Sequence, residues 1–181
     1  ETKRLGYYLQ FLSYPQITYV STKISSIFSQ INPLAYDQTV EAIQVRLRKL
    51  YTAAIDNSYL DKEGVKKAKF VNLDMEEYRD LFLTISVFKK TLEEEPFKNL
   101  YAGIVLQAYL PDSFSLLQDL ITWAKKRVEN GGAPIKIRLV KGANLAHEQV
   151  ISSARGWPQP PYTSKLEVDA NYKKMLLHSL T

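Results

Sequence analysis

Short apolar runs alternate with long amphipathic segments along the chain. Four runs rich in β-branched and aromatic residues, typical of strands, lie at 16–24, 70–74, 102–109 and 135–141. Between these runs and after the last one, apolar residues recur at the three- and four-residue spacing of helices that pack on one face. The predicted order is β-α-β-α-β-α-β-α, which is typical of a parallel sheet with crossover helices.

The predicted helices have apolar stripes and recognisable end signals. The first begins near Asp37, the second opens at Met75 with acids in its first turn, and the third runs from Pro111 to the glycine pair at 131–132. A last helix is predicted over 168–180. The predicted buried positions of the first three are Val40, Ile43, Leu47, Leu50 and Ala54; Tyr78, Leu81, Ile85, Phe88 and Leu92; and Leu117, Leu120, Ile121, Ala124 and Val128.

Polar side chains fall on one side of each predicted strand, near its carboxyl end. Because successive strand residues point to opposite faces, Lys23, Asp74, Gln107 and Arg138 lie opposite the apolar, helix-facing residues. In a doubly wound sheet helices cover both faces, and ionised groups there would carry a large desolvation cost. In a (β/α)₈ barrel this side faces the lumen, and its groups meet at the open mouth. The pattern therefore favours an α/β fold, a partial (β/α)₈ (TIM-like) barrel of about four parallel βα units.

These four side chains bring an amine, a carboxylate, an amide and a guanidinium to one pocket, which suits an anionic or zwitterionic ligand or a cofactor. Each also has a structural interpretation. Asp74 and Arg138 can form an ion pair within the sheet, Lys23 can be a solvated strand end, and Gln107 can satisfy neighbouring backbone groups. If the four side chains had unrelated structural roles, nothing would bring them to the same face. Their shared face therefore favours the functional interpretation.

Composition excludes several classes of function. The 181 residues carry 24 Lys and Arg against 19 Asp and Glu, a net charge of +5, with no Cys and 2 His. The lack of cysteine excludes disulfide frameworks, thiolate metal sites and cysteine nucleophiles, and His147 and His178 are too few and too far apart for a metal site. The positive charge is spread along the chain without a basic and aromatic platform, so we expect no nucleic-acid partner.

Two further patterns are missing from the sequence. No Gly-x-Gly-x-x-Gly follows any predicted strand and no Gly-x-x-x-x-Gly-Lys occurs, which removes the main support for a Rossmann or P-loop fold. No apolar run approaches the roughly 20 residues that a membrane span needs.

Two long motifs resemble the proline dehydrogenase domain of the bacterial bifunctional proline utilisation proteins. They are Phe-Val-Asn-Leu-Asp-Met-Glu-Glu-Tyr-Arg-Asp at 70–80 and Ile-Arg-Leu-Val-Lys-Gly-Ala-Asn at 137–144. The likeness extends through 103–109, 156–162 and 167–172. This resemblance implies a distorted (β/α)₈ barrel that binds FAD without a Rossmann fold and oxidises L-proline to Δ1-pyrroline-5-carboxylate.

The resemblance also implies roles for the polar face. Lys23 is similar to the lysine that binds the substrate carboxylate, and Asp74 to the acidic residue beside substrate and flavin. Arg138 is similar to the arginine near flavin N5, and Gln107 to the glutamine at the edge of the isoalloxazine ring. Asp74 and Arg138 are thus the expected catalytic residues. The expected cofactor-binding set is Asp74, Gln107, Arg138, Val140, Lys141, Gly142 and Ala143.

The same resemblance implies that residues 1–181 are a fragment of one FAD-dependent barrel domain, without its first and last strands and inactive alone. It further implies a C-terminal aldehyde dehydrogenase domain in the parent chain and a quinone as electron acceptor. The expected location is the cytoplasm, with peripheral association at the inner membrane. Two alternatives stay open: a barrel aldolase or lyase with Lys23 or Lys141 as Schiff-base amine, and a non-catalytic barrel fragment.

Overall fold

A computed structural model describes residues 2–180 of the chain. In chain order the elements are α1 (Thr2–Ser13), β1 (Tyr19–Lys23), α2 (Ile24–Ile27), α3 (Tyr36–Asp56), β2 (Tyr59–Leu60), β3 (Lys66–Lys67), β4 (Phe70–Asp74), α4 (Leu81–Leu92), β5 (Ala102–Gln107), α5 (Ser113–Glu129), β6 (Ile135–Val140), α6 (Leu145–Arg155) and α7 (Lys165–Ser179). Short 3-10 turns occupy Pro33–Ala35, Tyr78–Asp80 and Glu95–Phe97.

Four parallel strands form the main sheet, in the spatial order β1, β4, β5, β6. Each pair of neighbouring strands is joined through at least one helix, so the chain builds consecutive βα units. Four strands are half the number in a closed (β/α)₈ barrel. The fold is a partial TIM-like barrel, and the predicted fold class is confirmed. No helix within residues 2–180 is long and apolar enough to cross a membrane.

The apolar sides of the strands pack against the helices, as predicted. Val71, Leu73, Ile104 and Leu106 are completely buried, and so is nearly all of the predicted stripe of α3. Val128 was predicted to be buried but is 47 % exposed. It lies at the end of α5 beside β6, which is an edge strand of the described sheet, so no neighbouring strand covers it.

The structure corrects the predicted start of the second long helix. The predicted helix opens at Met75, whereas α4 begins only at Leu81, after the 3-10 turn. Contacts with distant residues hold this segment in another conformation: Tyr78 N–H donates to Glu148 Oε1 at 2.7 Å, and Glu77 has an extended backbone. The acids predicted for a first helical turn therefore lie in a loop next to the polar face.

Two further boundaries also differ from the sequence predictions. The last helix starts at Lys165, three residues before its predicted start, because Ser164 and Glu167 form a capping box. The polar segment 56–69, for which the sequence pattern predicts no element, contains the antiparallel pair β2 and β3.

Two buried cations join helices to the loops around the sheet. Lys69 is 1 % exposed, and its Nζ donates to the carbonyl oxygens of Leu12 at 2.7 Å and Tyr14 at 2.6 Å, at the end of α1. Arg127 in α5 donates to five main-chain carbonyls in the segments around β5: those of Leu92, Phe97, Lys98, Leu100 and Ala133. Both cations satisfy buried acceptors of the backbone and so stabilise the fold.

Candidate active site

The polar sides of the four strands meet near their carboxyl ends. Parallel pairing places Lys23 opposite Asp74, and Val105 opposite Arg138. Asp74 Oδ2 accepts a hydrogen bond from Ser21 Oγ at 2.9 Å, and its Oδ1 accepts one from the Arg138 guanidinium. The Asp74 and Arg138 side chains stay 27 % and 47 % exposed. The ion pair of the structural interpretation therefore forms, and it lies on the open side of the sheet.

Lys23 pairs with Glu76 and not with the cross-strand Asp74. Lys23 Nζ donates to Glu76 Oε1 at 2.8 Å, and Ser25 Oγ donates to Glu76 Oε2 at 2.5 Å. Partial burial alone would raise the pKa of Glu76, but the hydrogen bonds from Lys23 and Ser25 lower it below its usual value. Sequence reasoning missed Glu76 because it was assigned to a helix. Its position two residues after a strand end was the available signal.

Gln107 lies at the carboxyl end of β5 and is 2 % exposed. Its Nε2 donates to the main-chain oxygen of Glu76 at 3.4 Å. Its Oε1 is buried and has no hydrogen-bond donor within residues 2–180. A buried carbonyl oxygen without a donor is costly, so this atom offers an acceptor to an N–H group of a ligand.

The loop after β6 is fixed to the end of β5. Ala108 N–H donates to Val140 O and Tyr109 N–H donates to Lys141 O, both at 2.7 Å. Gly142 has a φ of +132°, and a Cβ there would lie 2.4 Å from Cγ of Tyr109. Only glycine therefore fits the close approach of this loop to the Tyr109 ring.

Lys141 and Ala143 occupy exposed places in the same loop. Lys141 Nζ lies 2.5 Å from Asp169 Oδ1 in α7, and Asp169 Oδ2 also accepts from Lys165 at 2.6 Å. These two lysines hold the pKa of Asp169 below its usual value. Lys141 thus pairs with a carboxylate of α7, whereas Lys23 and Arg138 pair with Glu76 and Asp74.

Helix α6 holds the loop between β4 and α4. The buried Glu148 carboxylate accepts the Tyr78 N–H, and Tyr78 Oη donates to Asp112 Oδ2 at 2.8 Å. His147 is exposed, with Nε2 at 3.6 Å from Glu77 Oε1. At the end of the loop, burial raises the pKa of Asp80 to about 6. This loop carries Glu76, so its contacts fix one side of the cluster.

The cluster has two cations and two carboxylates, with a buried amide oxygen beside them. Lys23 and Arg138 balance Glu76 and Asp74, so the four charges sum to zero. A neutral cluster with separated charges suits a zwitterion, whose own charges can each find an opposite partner. The unpaired Gln107 oxygen suits a second ligand that carries an N–H donor.

Comparison with known proteins gives the family. Residues 7–181 match the proline dehydrogenase family. The chain is similar to proline utilization A from Corynebacterium freiburgense, with 48 % identity over 97 % of this chain and 17 % of that one, and a TM-score of 0.88. It is also similar to proline utilization A from Bdellovibrio bacteriovorus inactivated by N-propargylglycine, with 33 % identity over 98 % of this chain and 20 % of that one, and a TM-score of 0.81.

The chain spans about a fifth of the length of these two relatives. A search of curated proteins gives no match. The long family match and the 48 % identity to a solved relative agree with the resemblance predicted from the two motifs. The chain belongs to the proline dehydrogenase family.

Proposed function

We propose that this chain forms part of the active site of a FAD-dependent proline dehydrogenase that oxidises L-proline to Δ1-pyrroline-5-carboxylate. The observation that carries the proposal is the neutral cluster of Lys23, Glu76, Asp74 and Arg138 near the carboxyl ends of the parallel strands β1, β4 and β6. Active sites of (β/α)₈ barrels form at this end of the strands. Family membership supports the choice of reaction.

The described residues fit a flavin. Gln107 Oε1 needs a donor, which an N–H at the edge of the isoalloxazine ring would supply. Arg138, one strand away on the same face, would stabilise the negative charge of the reduced ring. Val140, Gly142 and Ala143 would follow the cofactor along the adjoining loop. When bound, FAD would accept the hydride from the carbon next to the proline nitrogen.

Lys23 would bind the carboxylate of proline. Its side chain is 40 % exposed, and an ammonium has three donors, so the bond to Glu76 leaves protons for a second acceptor. Asp74 would hold the Arg138 guanidinium in place and face the nitrogen of the substrate. Binding both ends of a zwitterion fixes the orientation of the ring, which is the condition for efficient hydride transfer.

The Schiff-base alternative finds little support in the surroundings of its two candidate amines. A nucleophilic lysine is activated by an apolar pocket or by a neighbouring cation. Lys23 and Lys141 are each partly exposed and each paired with a carboxylate, Glu76 and Asp169. The non-catalytic alternative predicts no flavin binding, and the experiment below tests it.

Several wider features of the protein are also part of this proposal. We expect the complete protein, meaning the full product of the reading frame that contains this chain, to be bifunctional, with a C-terminal aldehyde dehydrogenase domain. A quinone would accept the electrons, and the protein would be cytoplasmic with peripheral association at the inner membrane. The similarity to two proline utilization A proteins supports the expected second activity. The quinone, the location and the membrane association rest on the family resemblance alone. NAD-dependent aldehyde oxidation by the complete protein tests the second activity.

The test of the main proposal is Arg138→Met in the complete protein. We expect a folded protein with reduced FAD content and proline turnover lowered on the order of a hundredfold, because a fixed charge at the reacting centre is lost. Lys136→Met is the matched control: Lys136 is on the same strand and face, but lies over the Phe70 ring, 5.8 Å from its centroid. The measurements are FAD content, circular dichroism and formation of Δ1-pyrroline-5-carboxylate. Normal turnover and FAD content in Arg138→Met would contradict the proposal.

A further inference from the structure

Glu76 is bonded to three groups of the candidate site at once. Its Oε1 accepts from Lys23, its Oε2 accepts from Ser25, and its main-chain oxygen accepts from Gln107. The carboxylate is 29 % exposed, and both of its oxygens are occupied by partners on the β1 side of the cluster. Because both of its oxygens are bound, the Glu76 carboxylate has a fixed orientation. It can therefore also fix the position of the Lys23 ammonium.

The strand register makes this arrangement unexpected. Lys23 and Asp74 are direct cross-strand neighbours with opposite charges. Neighbours of this kind attract each other, and a Lys23–Asp74 pair would be the simplest outcome. Lys23 instead turns to Glu76, and Asp74 binds Ser21 and Arg138.

We propose that Glu76 is a positioning residue that keeps these two ion pairs separate. It draws the Lys23 ammonium away from Asp74, so Asp74 stays bound to Arg138 and Lys23 stays open to the substrate carboxylate. This inference rests on the proposed function, because it assigns Lys23 to the carboxylate of proline. Glu76 acts through Lys23 and Asp74 and does not itself contact the substrate.

Removal of the Glu76 charge should change the partner of Lys23. In Glu76→Gln the amide keeps the size of the side chain and can still accept a hydrogen bond, but the negative charge that attracts the Lys23 ammonium is lost. Lys23 is then free to pair with Asp74 across the strands. Substrate binding weakens because the Lys23 ammonium moves away from the place in which Glu76 holds it, and the contact between Asp74 and Arg138 weakens as well.

The experiment compares Glu76→Gln with Glu77→Gln in the complete protein. Glu77 is the next residue along the chain and carries the same charge, but it pairs with Arg79 at 2.6 Å, outside the cluster. We expect Glu76→Gln to raise the KM for L-proline by about tenfold, with a smaller loss in kcat, because one charge-assisted contact is rearranged. Glu77→Gln should stay within about twofold of the unmodified protein.

A double-mutant cycle separates positioning from a merely structural role. In a Lys23→Met background Glu76 has no ammonium to position, so adding Glu76→Gln should change kcat/KM by less than about twofold. Glu76→Asp keeps the charge and should restore part of the lost affinity. If Glu76→Gln fails to fold, Ser25→Ala replaces it. Ser25→Ala frees one oxygen of the Glu76 carboxylate. It should raise the KM for L-proline by a few fold in the protein that keeps Lys23, and not in the Lys23→Met variant.

The results that would overturn this inference differ from the result that would overturn the proposed function. Equal KM values for Glu76→Gln and Glu77→Gln would overturn the inference. An undiminished effect of Glu76→Gln, or of Ser25→Ala, in the Lys23→Met background would also overturn it, since Glu76 would then act by another route. If the unmodified protein does not oxidise proline, the proposed function fails and this inference fails with it.

Discussion

The helix-covered interior and the open end of the sheet hold charged side chains in different ways. In the interior, Lys69 and Arg127 donate to main-chain carbonyls, and neither has a carboxylate within bonding distance among the described residues. At the open end, Lys23 and Arg138 each pair with a carboxylate and stay 40 % and 47 % exposed. The same residue types thus have different partners and different exposure in the two regions.

This difference separates groups that stabilise the fold from groups that can bind a ligand. A cation surrounded by main-chain carbonyls cannot leave them without exposing several buried acceptors. A partly exposed cation with one carboxylate partner keeps donors free and can take on a second acceptor. Under the proposed function, position near the carboxyl end of a strand, and not residue type, distinguishes the cations that would bind a ligand.

The largest predicted effect is the loss of stability when the buried cation Arg127 is removed from the interior. Arg127→Met removes the donor from five carbonyls and should lower the local stability of the segments around them by about 3 kcal/mol or more, because each buried acceptor left without a donor costs about 1–3 kcal/mol. Amide hydrogen exchange in the complete protein measures this, and we expect much faster exchange over 92–101 and 127–134. The neighbouring exposed Lys126 supplies the control, Lys126→Met. Unchanged protection in Arg127→Met would show that the interior cation is dispensable.

The second predicted effect is a pH dependence of stability that comes from the buried carboxyl group of Asp80. Burial raises the pKa of Asp80 to about 6, above its value in the unfolded chain. The stability that this group contributes is therefore complete below about pH 4 and is lost as the pH rises through about 6.

Asp80→Asn removes this pH dependence. The variant should be more stable than the unmodified protein at pH 8, by about 2–3 kcal/mol, and should lose this advantage at pH 4. Thermal unfolding followed by circular dichroism from pH 4 to 8 measures the difference. Asp119→Asn, at an exposed position of α5, is the control. A constant difference across this pH range would contradict the assignment.

The third predicted effect is a loss of FAD affinity when the buried Gln107 amide at the open end of the sheet is removed. Gln107→Leu removes a buried oxygen that has no donor among the described residues and loses only the long bond, 3.4 Å, from Nε2 to the Glu76 main-chain oxygen, so the stability of the flavin-free protein should change little. Its affinity for FAD should fall by about tenfold to a hundredfold, since the bond to the ring is lost. Titration with FAD and urea unfolding measure the two quantities, with Gln118→Leu on the surface of α5 as control. Unchanged FAD affinity would remove Gln107 from the site.

The smallest effect concerns the exposed loop after β6. Lys141→Met should weaken FAD binding by about two- to fivefold, because an exposed lysine contributes little to the binding of an anionic group. Lys165→Met removes the other partner of Asp169 and should leave FAD affinity unchanged. Equal affinities of the two variants would show that Lys141 serves only to hold α7.

The strands and their polar face could be predicted because both depend on local alternation. The apolar sides at Val71 and Ile104 and the polar positions at Asp74 and Arg138 all follow from the two-residue period of a strand. Four strands in the predicted order were enough to place these groups at one end of a parallel sheet.

Glu76 and Lys69 could not be placed in the same way. Glu76 has a helical sequence context, and the loop that carries it is fixed by Glu148, 70 residues from its partner Tyr78. Lys69 looks like a surface lysine, but its acceptor Leu12 lies 57 residues earlier in the chain. Contacts between such distant residues override local preference, and periodicity carries no information about them.

The most direct measurement is an anaerobic titration of the complete, FAD-containing protein with L-proline, followed by visible absorption. We expect L-proline to bleach the flavin bands, D-proline to bleach them much less, and a quinone to restore them. Arg138→Met reconstituted with FAD should bleach far more slowly. A protein that binds no flavin, or one whose flavin L-proline does not reduce, would contradict the assignment of this strand-end cluster to proline oxidation.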